Sequence, residues 1–203
     1  MRASEDPVRA WERETLKVLR EHVLPDKKSQ VLEDEESTYR IPVLSVTDRR
    51  AFLGAMWLPY LPDANWSGTR SIPVGTTQVY LDVSGSMHAE MPHIVHLLGR
   101  LQTHIRKPLW AFSDEVAAAV IRGGQLITST SGGTSMTCVL EHLCKTRPGA
   151  AVIVTDGYIE TVSKHLLRKA RGIRIHAILS RDGSAVALKD AGISYTQLGR
   201  LPT

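Results

Sequence analysis

The 203-residue chain predicts an α/β fold: a doubly wound, mostly parallel sheet with helices on both faces, preceded by a mainly helical N-terminal extension. Three observations predict it. From Thr76 onward, short apolar runs alternate with stretches of helical periodicity, the pattern of a layered α/β sheet. Ala151-Val152-Ile153-Val154 is apolar without alternation, as a parallel strand covered on both faces must be. Two apolar runs end in an aspartate, Asp82 and Asp156, and ligands of such sheets bind at the carboxyl ends of strands, near a topological switch point. The change of pattern divides the chain into an extension and linker (residues 1–75) and a main domain (residues 76–203).

Asp6-Pro7 reads as a helix start, with Asp6 as the cap and Pro7 in the first turn. That helix is expected to run to Leu24, where Pro25 stops it. Val8, Trp11, Val18, Leu19 and Val23 give it an apolar stripe suited to packing on the main domain. Asp26 to Thr38 is polar and acidic and reads as a solvated linker. Tyr39 to Val46 reads as a short extended segment, Arg49 to Tyr60 as a helix, and the stretch up to Gly75 as a turn-rich connection.

In the main domain the predicted order begins with a strand at 78–83, a helix at 90–105 and a strand at 109–112. A hairpin follows, with strands at 116–122 and 125–128 around Gly123-Gly124. Then come a helix at 135–145, a strand at 151–155, a helix at 161–171 and a strand at 174–179. A short helix at 184–191 and a last strand at 194–198 complete the sequence of elements.

Composition is that of an ordinary globular chain, 42% hydrophobic and 23% charged, which argues against disorder as the main state. The net charge of +4 is unevenly spread. Residues 1–75 hold 11 Lys/Arg against 12 Asp/Glu, and the remainder 14 against 9. That surplus is too mild to call for nucleic acid. The charged opening lacks the apolar core of a signal peptide, and no run approaches the length of a membrane span. Cys138 and Cys144 fall on different faces of one predicted helix and cannot pair there, so reduced thiols and a cytoplasmic location are expected.

The run Asp82-Val83-Ser84-Gly85-Ser86 carries the most chemistry. It places one carboxylate and two hydroxyls on a tight turn after a strand, all of them oxygen donors. Hard divalent cations favour such donors and near-octahedral geometry. Five residues cannot supply an octahedron, so later oxygens are required. Thr134, in Ser131-Gly132-Gly133-Thr134-Ser135, and Asp156, in Val154-Thr155-Asp156-Gly157, stand where the predicted topology brings them to the same sheet edge.

Together these three pieces resemble the von Willebrand factor A (VWA) domain, in its bacterial intracellular form, and its metal-ion-dependent adhesion site (MIDAS). The family pattern of Asp-x-Ser-x-Ser, then Thr, then Asp is matched at every position, over residues 76 to 200. The resemblance implies a Rossmann-like sheet and a Mg²⁺ site formed by Asp82, Ser84, Ser86, Thr134 and Asp156, with Mn²⁺ or Ca²⁺ as substitutes. It further implies a non-catalytic adaptor that binds a partner protein's Asp or Glu through the metal, with a MoxR-type AAA+ ATPase as one expected associate. Gly85, His88, Gly133, Ser135 and Gly157 would form the partner-binding rim. The glycines Gly85, Gly132 and Gly133 would allow close backbone approach and positive φ. Thr155 reads as a β-branched strand residue outside the site.

Other residues carry blander readings. His88 suits a surface turn, since imidazole is a poor ligand for Mg²⁺. His93, His96 and His104 read as solvent-facing, and His176 as a satisfied core histidine. Lys164, Arg168 and Arg171 share a helix face that is most simply solvated, although an RNA-binding VWA protein is an alternative reading. Ser113-Asp114 resembles a Phe-Ser-Asp turn of the bacterial family members and is expected to serve the fold. A Mg²⁺-dependent phosphohydrolase is the other alternative, with Asp82 as nucleophile. Haloacid-dehalogenase-type enzymes need a second Asp two residues on, and Ser84 occupies that place; a hydroxyl does not replace a carboxylate in proton transfer. Neither a Gly-x-Ser-x-Gly elbow nor a phosphate loop is present.

Overall fold

The computed structural model of the chain describes residues 6–23, 31–40, 65–74 and 77–199. The chain divides into two compact units: Met1–Val31 with Val74–Thr203, and Leu32–Pro73.

The larger unit is an α/β structure around a seven-stranded sheet. Its strands are β3 (Thr77–Asp82), β4 (Leu109–Phe112), β5 (Val116–Arg122), β6 (Gln125–Thr128), β7 (Ala150–Thr155), β8 (Arg174–Leu179) and β9 (Ser194–Gln197). They lie in the order β6-β5-β4-β3-β7-β8-β9. The pairings β4/β3/β7/β8/β9 are all parallel, and the β5–β6 hairpin closes one side antiparallel. The chain leaves β3 toward β4 on one side and returns to β7 on the other. That reversal puts the switch point between the carboxyl ends of β3 and β7, where a crevice forms in sheets of this kind.

Alternation along the central strands splits the core in two, because successive side chains point to opposite faces. Val79, Leu81, Val152, Val154 and Ile178 join one apolar cluster with Ile94, Val95, Leu97 and Leu98 of helix α2 (Met91–Gly99). Tyr80, Ala151, Ile153, Ala177 and Leu179 join the other, with Met136, Val139, Leu140 and Leu143 of helix α3 (Met136–Thr146). Two short helices, α4 (Lys164–Lys169) and α5 (Val186–Ala191), follow β7 and β8.

The first helix, α1 (Pro7–Val23), belongs to this unit rather than to a separate extension. Asp6 caps it as expected, its Oδ1 accepting from Val8 N at 3.1 Å. Trp11, Thr15, Leu19 and Val23, four residues apart, form its buried ridge. Trp11, Leu19 and Val23 enter the α2 cluster, and the Trp11 indole donates to Gly199 O at 2.9 Å. The helix therefore contributes to the core of the sheet unit.

The smaller unit holds a two-stranded sheet, β1 (Val31–Arg40) with β2 (Asn65–Val74). The expected linker is thus strand from Val31 on, and the expected turn-rich connection is strand from Asn65. Beyond α1, the described part of the N-terminal 75 residues is extended rather than helical. The helix expected at 49–60 and most of the segment expected at 39–46 lie outside the described residues. In the main domain the elements stand close to where periodicity put them. The expected 90–105 helix stops at Gly99 and gives way to a single 3-10 turn, Gln102–His104.

Candidate functional site

Both central aspartates end their strands in the same way. Asp82 Oδ1 accepts from Ser84 N, and Asp156 Oδ1 from Tyr158 N, each at 3.0 Å. An aspartate that bonds the amide two residues on turns the chain without a backbone partner, which is why Asp favours such positions. Residues 84–87 and 157–158 consequently leave the sheet at its carboxyl edge.

The third loop comes from the hairpin. Ser84 forms an isolated parallel bridge to Gly132. Ser113, just past β4, holds this loop from beneath. Its hydroxyl lies 2.5 Å from Thr130 Oγ1, and its carbonyl accepts from Ser135 N at 2.8 Å. The Asp114 carboxylate packs so closely on Gly133 that a Cβ there would meet Oδ1 at 2.6 Å. The Ser113-Asp114 turn thus positions the loop that carries Thr134.

All five predicted residues come together. Thr134 Oγ1 donates to Asp82 Oδ1 at 3.4 Å, Ser84 and Ser86 hydroxyls are 3.2 Å apart, and Ser86 Oγ donates to Asp156 Oδ2. Asp82 is fully buried and Asp156 is 5% exposed. Burial pushes the Asp82 carboxyl up, bonds from Thr155 and Ser84 oppose this, and the Asp156 charge adds to the rise.

Thr155 was not expected here. Its hydroxyl donates to Asp82 Oδ2 at 2.6 Å and accepts from Gly157 N at 3.0 Å. It thereby fixes the second Asp82 oxygen and the turn after Asp156 with one group. Glu160 was also missed. Its carboxylate accepts from Ser135 Oγ and Met136 N, each at 3.0 Å, and from Thr137 N at 2.8 Å. It satisfies the free amides at the start of α3 from a distant loop, tying the Thr134 loop to the Asp156 loop. Burial would raise its pKa, but the bonds from Thr137 and Met136 outweigh that and bring it down to about 2.

The expected rim is only partly a rim. Gly85, His88 and Gly133 are exposed, and Ser135 is half-buried with its hydroxyl given to Glu160. Gly157 is buried, at φ +74°, with its Cα against Ser184 O; a Cβ would stand 2.1 Å from that oxygen. Gly85 has open space and no positive φ, so its backbone does not require glycine. Gly132, at φ +137°, does call for one.

The remaining candidates are accounted for elsewhere. His93 faces α1, with its ring edge to Trp11 and Nδ1 3.7 Å from Glu12. His96 is exposed and His104 half-buried. His176 is satisfied, as expected, by Ser194 and Thr196, but it is half-buried and stacks on His22 rather than lying in the core. Lys164, Arg168 and Arg171 are exposed. Cys138 and Cys144 are free thiols; burial and the Glu160 charge push Cys138 up to about 11, which leaves it a poor nucleophile at neutral pH.

The donor set is two carboxylates and three hydroxyls, all oxygen, which fits a hard cation such as Mg²⁺ and not a soft one. Among the described residues, no cluster of three or more His, Cys, Asp or Glu is placed to hold a metal. Hydroxyls make up most of this site. No helix among the described residues is long and apolar enough to cross a membrane. No protein-family model matches the chain, and no curated protein matches it.

Proposed function

We propose that the chain is a VWA-type, non-catalytic interaction module with a doubly wound sheet, whose MIDAS-like site binds Mg²⁺ and, through it, an acidic residue of a partner protein. One observation carries this reading. The side-chain oxygens of Asp82 and Thr134 bond each other, as do those of Ser84, Ser86 and Asp156, and the Ser84 backbone N–H donating to Asp82 Oδ1 joins the two groups at the switch point. Two buried carboxylates are costly unless a positive ion joins them. A bound Mg²⁺ would supply that charge and a strong attraction for an external carboxylate. Because the other ligands are neutral hydroxyls, the ion would keep much of its charge for the partner. Binding of this kind depends on the metal and gains specificity from charge. A partner of the AAA+ ATPase class follows from the family resemblance alone.

We place the protein in the cytoplasm on account of its two free thiols. Ser84 in place of a second aspartate argues against phosphohydrolase chemistry at this edge. The exposed Lys164, Arg168 and Arg171 would serve RNA only in a complex that is sensitive to salt.

Titrating Mg²⁺ or Mn²⁺ into wild type and Asp82→Ala by calorimetry tests the reading. Saturable uptake by wild type and none by the variant is expected; equal uptake by both removes the site.

A further inference from the structure

The groove beside the site is not explained by metal binding. It has a volume of about 430 Å³ and lies between the 157–164 segment and helix α5. Gly157 and Tyr158, the two residues following Asp156, line it, as do Val162, Leu167, Val186 and Ala187. Tyr158 is 65% exposed and Val186 66%, a large apolar pair left to solvent with no role in either core cluster. The other exposed large apolar residues, Val120 and Ile127, lie on the β5–β6 hairpin, whereas Tyr158 and Val186 adjoin a concave groove, the shape that receives a ligand.

The groove and the carboxylate site share a backbone. Asp156 O accepts from Ser184 N at 2.8 Å, and the Tyr158 hydroxyl donates to Asp182 O at 3.2 Å. Gly157 and Gly183 are packed so tightly that added Cβ atoms would overlap Ser184 O and Asp156 O. Whatever sits on Tyr158 and Val186 therefore rests on the same rigid turn that aims Asp156. The lining carries one basic and one acidic side chain, Lys164 and Asp190, so its charge is balanced and the occupant follows from the shared turn.

We infer that the groove receives an apolar side chain of the same partner segment whose carboxylate reaches the metal. The partner motif is then an Asp or Glu with a large aliphatic or aromatic residue at a constant offset. This rests on the metal-site reading above and adds the partner's chemistry to it.

The test uses the full chain and a library of short peptides, each with one fixed glutamate, selected in Mg²⁺ and in EDTA. Selection in Mg²⁺ alone is expected to enrich Leu, Ile, Met, Phe or Tyr at one offset from the glutamate. Val186→Asp, at an exposed position, and Ala187→Trp, which fills the groove, should bind Mg²⁺ like wild type. Both should weaken the selected peptides by about tenfold or more, the usual worth of one apolar side chain in a pocket. Asp156→Ala should lose metal and peptide together. Peptides enriched without a fixed apolar position, peptides indifferent to both groove variants, or no enrichment by a chain that does take up Mg²⁺ would each overturn the proposal. Absence of Mg²⁺ uptake by wild type, read in a separate titration, sinks the metal reading instead.

Discussion

The Thr155 hydroxyl donates to Asp82 Oδ2 across the β3–β7 pair at 2.6 Å. Neighbouring parallel strands place these two side chains on the same face, beyond Tyr80 and Ile153. The same hydroxyl accepts from Gly157 N, so one methyl-for-hydroxyl exchange tests two bonds at once. Thr155→Val keeps the shape but leaves a buried carboxylate oxygen and a buried amide without partners. A loss of about 1–3 kcal/mol in stability is expected from denaturant unfolding, along with weaker Mg²⁺ uptake in calorimetry. Unchanged stability would remove Thr155 from the site's support.

Asp82→Asn should move stability and binding in opposite directions. The carboxyl is raised by burial and by the Asp156 charge, so its ionised form disfavours the fold at neutral pH in the absence of a cation. The amide removes that charge at nearly the same volume. Thermal unfolding in EDTA should show a higher Tm for the variant, while added Mg²⁺ should raise the Tm of wild type only. A variant that Mg²⁺ still stabilises would contradict the assignment of Asp82.

Glu160 is expected to matter at acid pH. Its folded pKa of about 2 lies below the ordinary 4.5. The sign follows from linkage: the stabilisation is complete above the unfolded value and is lost as pH falls from about 4.5 toward 2. Solvent reaches this side chain, which limits its worth. Glu160→Ala should cost about 1 kcal/mol, the scale of a lost helix cap. The variant should also show a shallower acid limb in urea midpoints between those pH values. Equal slopes for variant and wild type would refute the capping role.

Gly157→Ala tests the packed turn. Its Cβ would lie 2.1 Å from the backbone oxygen of Ser184, at a φ of +74°. Neither can relax without moving Asp156 or Ser184. A loss of several kcal/mol, roughly 3 or more, is expected from strain of both kinds. Gly85→Ala, with open space around it and no positive φ, should be close to neutral. Similar unfolding midpoints for the two variants would contradict the geometry.

The His22–His176 stack, with ring centroids 3.5 Å apart, joins α1 to β8. Burial and the neighbouring His22 lower His176 to about 4, and burial lowers His22 as well. For a base held below its unfolded value, the unfolded chain binds more protons, so stability falls as pH drops from about 6.5 toward 4. Glu21 opposes this by favouring the charged rings. His22→Leu should flatten that limb in denaturant titrations. A limb of unaltered slope would show that the stack does not couple to pH.

The chain's local pattern was enough to place the sheet unit and its two strand-end aspartates. Strand, turn and helix signals repeat there within a few residues, and an aspartate at a strand end needs only its own second-following amide to turn the chain. Asp82 and Asp156 could be picked out on those grounds; the choice of Ser84, Ser86 and Thr134 rests on a hard cation's need for further oxygens and on the resemblance to the VWA pattern. What depends on partners remote in sequence could not be picked out. Thr155 looks like any β-branched strand residue until β3 is laid beside β7, and Glu160 looks like surface charge until α3 presents its free amides. The acidic run Leu32 to Thr38 is depleted in strand formers; it becomes β1 because β2 supplies hydrogen bonds from some thirty residues away. Likewise α1 announces its own apolar ridge, but only the folded chain gives that ridge a place against α2. Backbone and side-chain chemistry specify short-range geometry, whereas which distant groups satisfy each other is decided when the layers close and water is excluded.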